Sequence, residues 1–272
     1  MRRVPAAAKL NLSLVVGPRG PGGKHDVATV LQRIDLADRV SLEPAAALRV
    51  TGFPEDTLVA RALEVLAEAA GVEPRWAVRI NKKIPVAAGL GGGSSDAATA
   101  LRLANEALDE PLSAEALREL ATGLGADVPF FLASGPQLGE ADGTALTPLE
   151  LPQDYWVVLV QPDGEAKRST AEVYAAFDER GGEAGYEDRR TRLTAALAAV
   201  ARARDLAALP QNDLASSPLA AELCALGAFR ADVTGAGPVV YGLFVHEREA
   251  AEAAHRLRWR GRIWRTVPAW YG

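Results

Sequence analysis

The sequence predicts an α+β protein in which helices and strands mix without strict βαβ alternation. Three observations carry that reading. Apolar residues make up 49% of the 272 positions and charged residues 24%, enough for a large buried core. Some windows place apolar residues at helical spacing, whereas others alternate or run apolar as strands do. A segment around Pro148 and Pro152 separates two halves that each contain both kinds of element, so the domains are drawn as 1-152 and 153-272.

Taken in order, residues 10–16, 27–34 and 39–43 read as short strands. The first break, Gly17 to Gly23, has turn chemistry throughout. Leu58, Ala62, Leu63, Leu66, Ala69 and Ala70 set a helix over 57–70, and residues 75–80 alternate as a strand. After a glycine-rich loop, Ala97, Leu101, Ala104 and Leu108 line one face of a second helix. A third covers 114–123 behind Ser113 as N-cap. Tyr155 to Val160 reads as a buried strand. Helices follow around 170–177, 191–203 and 217–226, then a strand at 239–245, a helix at 247–257 and a strand at 262–267. The charged, glycine-bearing segment 178–190 reads as an exposed loop.

Several function classes are set aside by composition. The longest run without a charge or His, Val233 to Val245, falls well short of the roughly 18–20 apolar residues of a membrane span. The basic start, Met1-Arg2-Arg3, lacks the apolar region of a secretory signal, so the cytoplasm is the expected compartment. Lys and Arg number 30 against 35 Asp and Glu, a net charge of −5 that gives no general pull toward nucleic acid or an anionic membrane. The alternating Arg256 to Ile263 segment reads as a helix end and a strand with one wet face. One cysteine, Cys224, excludes an internal disulfide, and its apolar neighbours suggest a buried thiol. His25, His246 and His255 have no metal-ligand spacing.

The segment that carries most chemistry is Pro85-Val86-Ala87-Ala88-Gly89-Leu90-Gly91-Gly92-Gly93-Ser94-Ser95, directly ahead of a helix. Glycines let a phosphate approach bare backbone N–H groups, and the following helix N-terminus completes an anion site. Ser94 and Ser95 can cap that helix or offer hydroxyls to a phosphate or its Mg²⁺. A P-loop is excluded because no Lys follows the glycines, and the dinucleotide fingerprint fails because Ser94 stands at its last position.

The pattern P-x-x-x-G-L-G-G-G-S-S-x-A-A resembles the ATP-binding loop of the GHMP kinases (galactokinase, homoserine kinase, mevalonate kinase and relatives). Ala8-Lys9-Leu10-Asn11-Leu12 resembles the family's first motif and Thr234-Gly235-Ala236-Gly237 its third, in the same order across nearly the whole chain. The triple glycine, with Leu124-Gly125-Ala126-Asp127-Val128-Pro129-Phe130-Phe131, narrows the resemblance to the branch whose alcohol substrate carries a cytidine diphosphate, in isoprenoid precursor synthesis. The resemblance implies a two-domain kinase with its active site in the interdomain cleft. ATP and Mg²⁺ would be its cofactors and a small cytidyl diphosphate alcohol its substrate. Neither nucleic acid nor membrane is an expected partner, and the chain is expected to be a monomer or weak homodimer. Another GHMP kinase of homoserine or mevalonate type, or a silent nucleotide-binding regulator on the same fold, remains an alternative.

Residue by residue, the resemblance puts the catalytic base at Asp127 and its ammonium partner at Lys9. An N-cap role for Asp127 is the competing reading. Asn11, two positions from Lys9 on a strand, shares its face and would bind the methylerythritol end of the substrate. Gly23-Lys24-His25 resembles a family segment in which the histidine meets the cytosine edge and an aromatic residue stacks on the ring; Lys24 stands here in place of that aromatic residue. Thr170 and Tyr174 resemble the segment that supplies a hydroxyl and an aromatic ring to the cytidine end, which makes Tyr174 the remaining stacking partner. Lys82 is expected near the nucleotide, and Thr234, Gly235 and Gly237 are expected to support the phosphate loop. No ligand set for Mg²⁺ can be read from the sequence.

Overall fold

Long alternation near the N-terminus builds one hairpin rather than separate short strands. In a computed structural model, which describes residues 2–20, 22–53, 57–164 and 169–269, β1 (Arg2–Arg19) pairs antiparallel with β2 (His25–Pro44). The break expected from Gly17 onward is therefore shorter, with Gly17, Pro18 and Arg19 still in β1. Register shifts at Ala7/Ala8 and Asn11/Ser13 bracket Lys9 and Asn11. Such bulges bend a strand and re-aim its side chains.

The other edge of β2 is divided between two partners: residues 39–44 pair with β4 (Trp76–Asn81), and residues 29–31 pair with β5 (Gln137–Glu140). Short strands β3 (Arg49–Thr51), parallel to β4, and β6 (Ala145–Pro148), antiparallel to β5, complete six strands. Helices α1 (Leu58–Ala70), α2 (Gly92–Asn105) and α3 (Ala114–Leu124) cover this sheet, with Leu63, Leu66, Leu101 and Ala104 packed on Val40, Val78 and Ile80. Ser113 caps α3 as expected, accepting from the Ala116 amide at 3.2 Å. A five-residue helix, α4 (Val128–Leu132), follows.

The second half has a four-stranded antiparallel sheet in the order β10-β7-β9-β8: β7 is Trp156–Pro162, β8 Arg230–Val233, β9 Val240–Phe244 and β10 Gly261–Thr266. Its helices are α5 (Thr170–Glu179), α6 (Tyr186–Ala198), α7 (Pro218–Ala225) and α8 (Glu247–Arg256), with a 3₁₀ turn at Ala203–Ala208. Strand β7 is apolar on both faces. Val157 and Leu159 face Leu10, Leu12 and Val30 of the hairpin, and Val158 and Val160 face the α7–α8 layer. One apolar core thus joins the two halves. Among the described residues no helix is long and apolar enough to cross a membrane.

Two sequence expectations are corrected. Cys224 is exposed, because α7 buries Leu219 and Leu223, one turn apart, and turns the next position outward. Segment 178–190 is not wholly loop: α6 begins at Tyr186, and Arg189 reaches inward to the Val16 and Gly182 carbonyls and to Asp213. Those partners neutralise the charge that made the stretch read as solvated.

Candidate active site in the cleft

The glycine loop lies where the hairpin meets the start of α2. Helix α2 begins inside the glycines, with Gly91 as N-cap in the left-handed region (φ 68°). Ser94 and Ser95 therefore stand in its first turn and do not cap it, which leaves the other role open to them, a hydroxyl offered to a phosphate or its Mg²⁺. Ser95 N donates back to Gly91 O at 2.9 Å, while the amides of Gly92, Gly93 and Ser94 have no carbonyl one turn behind them. Those three donors and the helix dipole form an anion site. A Cβ on Gly91 would sit 3.0 Å from both Lys9 Cγ and Phe131 Cζ, so the cradle leaves no room for a side chain.

The third glycine segment braces this loop from the second half. Gly89 (φ 79°) approaches Thr234 so closely that a Cβ there would fall 2.1 Å from the Thr234 carbonyl oxygen. Thr234 Oγ1 donates to Gly89 O at 3.3 Å and accepts from Asn11 N at 3.1 Å. The three motifs therefore meet at one point. Asn212, which the sequence did not single out, holds this segment by donating to the carbonyls of Val233 and Gly235.

Lys9 is buried on β1 and its ammonium donates to Asn11 Oδ1 at 2.6 Å. Asn11 in turn donates to Thr29 Oγ1 at 2.8 Å, and Thr29 to Ser13 O. Asp127 Oδ2 lies 3.6 Å from Lys9 Nζ. Asp127 occupies the N-cap position of α4, yet its side chain makes no capping hydrogen bond. The carboxylate is thus turned to the lysine and the cleft rather than to the helix.

That cleft has a volume of about 610 Å³, and Lys9, Asn11, Asp127, Ser94 and Gly91 line it together with Lys24, His25, Thr170 and Tyr174. A capping box, with Ser169 and Glu172 exchanging hydrogen bonds, starts α5 and places Thr170 and Tyr174 on the cleft wall. The Tyr174 ring stacks on His25 at 5.0 Å and 27°. Burial, helped by the Asp127 charge, pushes the Tyr174 hydroxyl up to about 12, so it stays protonated. His25 is buried, with Nδ1 2.8 Å from Gly17 O and Nε2 3.1 Å from Asp178 Oδ1. Lys24 pairs with Asp142 at 2.8 Å. Asp142 and Asp178 lie far along the chain from their partners, and no local spacing announces either.

A second cavity of about 390 Å³ lies along residues 85–94 and is lined also by Phe53, Leu58 and Lys82. Pro85, Val86, Ala88, Leu90, Gly92 and Gly93 face it, and Ala87, Gly89, Gly91 and Ser94 border both cavities. Lys82 does not project freely: its ammonium is held by the buried carboxylates of Asp38 at 2.6 Å and Asp96 at 2.8 Å. These partners favour its charged form against the cost of burial. Among the described residues no three His, Cys, Asp or Glu side chains gather as a metal site.

Residues 57–135 match the GHMP kinases N terminal domain. The chain is 38% identical over 272 residues to a 4-diphosphocytidyl-2-C-methyl-D-erythritol kinase of Geobacter sulfurreducens, covering 94% of each. It is 40% identical over 265 residues to the like-named kinase of an Anaeromyxobacter species, covering 92% of this chain and 84% of that one. A crystal structure of a 4-(cytidine 5'-diphospho)-2C-methyl-D-erythritol kinase superposes with a TM-score of 0.79 at 29% identity, covering 98% of this chain and 99% of the other. A mevalonate kinase structure superposes at 0.76 with 14% identity, covering 98% of this chain and 99% of the other, a likeness of fold alone.

Proposed function

The chain belongs to the GHMP kinase family and is an ATP-dependent small-molecule kinase, and we propose that it phosphorylates the 2-hydroxyl of 4-diphosphocytidyl-2-C-methyl-D-erythritol in isoprenoid precursor synthesis. The observation that supports this most is the alignment of three features along one cleft. A glycine cradle, a Lys9–Asp127 pair and the His25–Tyr174 stack line the same cavity. The proposal carries with it a division of the chain near residue 152 and a cytoplasmic location.

Phosphoryl transfer leaves a protein little covalent chemistry, so catalysis is positioning and charge stabilisation. The β- and γ-phosphates lie against the Gly92, Gly93 and Ser94 amides, with residues 85–91 shaping the approach. The alcohol lies between that cradle and Asp127. Asp127 accepts the hydroxyl proton as the oxygen attacks the γ-phosphorus and the bond from that phosphorus to the β,γ-bridging oxygen breaks, releasing ADP. Lys9, fixed by Asn11 and 3.6 Å from Asp127, offers its ammonium to the transferring oxygens. Asn11 also faces the methylerythritol end. Bound Mg²⁺ supplies charge neutralisation on the phosphates, and the Ser94 hydroxyl, a hard oxygen donor on the cleft wall, suits that ion. Lys82, held by two carboxylates, steadies the start of α2 and borders the nucleotide cavity.

The His25 and Tyr174 rings, 5.0 Å apart, leave no slot for a third between them, which would need roughly 7 Å, twice the optimal carbon separation. The cytosine therefore stacks on the outward face of Tyr174, with His25 backing that ring from its other side, its nitrogens turned to Gly17 O and Asp178, and Thr170 contributes a hydroxyl. Stacking is worth about 1–3 kcal/mol per base, so Tyr174→Ala should raise the Kd for the cytidyl alcohol roughly tenfold or more and spare ATP. Lys24→Tyr, which gives up the Asp142 pair, should partly restore affinity in the Tyr174→Ala background. Titration of all four proteins checks this; unchanged affinity in Tyr174→Ala removes that ring from the base site. The reaction itself is tested with γ-labelled ATP. Label should pass to the alcohol as a phosphomonoester, and label found only in inorganic phosphate sinks the proposal.

A further inference from the structure

Arg33 lies deep in the hairpin, directly opposite Lys9 in the β1–β2 register. It is a buried cation, and among the described residues no carboxylate pairs with it. Burial and the neighbouring Arg102 charge push it down to about 10, still charged at neutral pH. A buried charge without a counter-ion is costly, and an apolar side chain would fill the same space at less cost.

Its contacts identify what it does with that charge. Nη2 donates to the carbonyl oxygens of Phe130, at 2.7 Å, and Ala133. These lie at the C-terminal end of α4, where the Phe130 carbonyl also accepts from the Ala133 amide and a cation is favoured. The guanidinium also lies over the Phe130 ring, 4.9 Å from its centroid, and 6.0 Å from that of Phe131. The two ends of this five-residue helix are therefore held by facing residues of one rung. Lys9 meets Asp127 at its start, and Arg33 takes the carbonyls at its end. Phe131, between them, is the ring that packs on Gly91 of the phosphate cradle.

We propose that Arg33 is a positioning residue for phosphoryl transfer: it locks α4 by its C-terminal carbonyls and thereby sets the distance of Asp127 from Lys9. The inference rests on the reading of Asp127 as the base. Arg33 touches neither substrate, so its loss should act on turnover rather than on binding. A shift of about 1 Å at reacting groups can cost a hundredfold in rate.

The test measures kcat and KM for ATP and for the cytidyl alcohol in Arg33→Met, Arg33→Lys, Asp127→Asn and the Arg33→Met/Asp127→Asn double variant, each checked for folding by circular dichroism. Arg33→Met should lower kcat roughly ten- to hundredfold with both KM values within about threefold of the parent. Arg33→Lys, which keeps one donor for the carbonyls, should recover much of the loss. The double variant should be no slower than Asp127→Asn alone, since the two act through one group. A folded Arg33→Met with parental kcat overturns the proposal, as does a double variant slowed by the full Arg33→Met factor. If Arg33→Met does not fold, Arg33→Gln replaces it under the same criteria. An active Asp127→Asn would remove the base reading instead, so the two failures are told apart.

Discussion

Replacing Asp127 by Asn is expected to lower kcat by roughly 10²–10⁴ while the KM for ATP stays near the parental value. The substitution keeps the size and most hydrogen-bonding capacity of the side chain and removes only its ability to take a proton. If Asp127 served α4 as an N-cap, Asn would replace it almost without loss, because the two rank together at that position. The geometry argues against capping: the backbone of Asp127 sits at the N-cap, yet its side chain accepts no helix amide and lies 3.6 Å from the buried Lys9 ammonium. Steady-state kinetics on the folded variant decides between the roles, and a kcat within a few-fold of the parent would return Asp127 to a structural part.

Replacing Gly89 by Ala is expected to weaken ATP binding at least tenfold. Two costs add there. A side chain at φ 79° costs about 1–2 kcal/mol of backbone strain. Its Cβ would also fall 2.1 Å from the Thr234 carbonyl oxygen, and that atom belongs to backbone that cannot rotate away. Overpacking of this kind costs typically 1–3 kcal/mol, and each 1.4 kcal/mol is tenfold in affinity. Relief comes only by moving the phosphate loop away from the 234–237 segment, which displaces the amides of Gly92 and Gly93. Gly71→Ala is the control. Gly71 ends α1 at φ 65° with open space around it, so it carries the backbone strain without the collision. Calorimetric titration of ATP should find Gly71→Ala unaffected and Gly89→Ala impaired; equal behaviour of the two would place the nucleotide elsewhere.

What the sequence made legible was local chemistry at fixed offsets. Consecutive glycines ahead of a helix, a lysine and asparagine two apart on a strand, and the Ser113 cap of α3 each act through near neighbours. Even there, the choice between the two roles of Ser94 and Ser95 needed the structure, in which glycine itself takes the left-handed N-cap position. Hidden features were those whose cause lies elsewhere in the chain. Strand β8 reads Arg-Ala-Asp-Val, which resembles a surface segment, yet all four residues are buried because Arg230 and Asp232 pair at 3.4 Å and Tyr241 accepts from Arg230. Short strands β5 and β6 lack the length to show alternation. Asp178 beside His25, Asp142 beside Lys24 and Asn212 behind Gly235 are long-range partners that no spacing rule could supply. Arg33 looked like one more charge on a strand, and only the end of α4 gives it a purpose.

The most direct test of the account is ADP release by the purified protein with ATP and Mg²⁺ in the presence, separately, of 4-diphosphocytidyl-2-C-methyl-D-erythritol, mevalonate and homoserine. All three alcohols suit kinases of this fold, and the cradle alone cannot choose among them; the His25–Tyr174 stack can. The account predicts stoichiometric ADP release with the cytidyl alcohol, abolished or strongly slowed in Asp127→Asn, and background release with the other two. Turnover on mevalonate or homoserine with none on the cytidyl alcohol would contradict it, as would ATP binding with no turnover on any of the three.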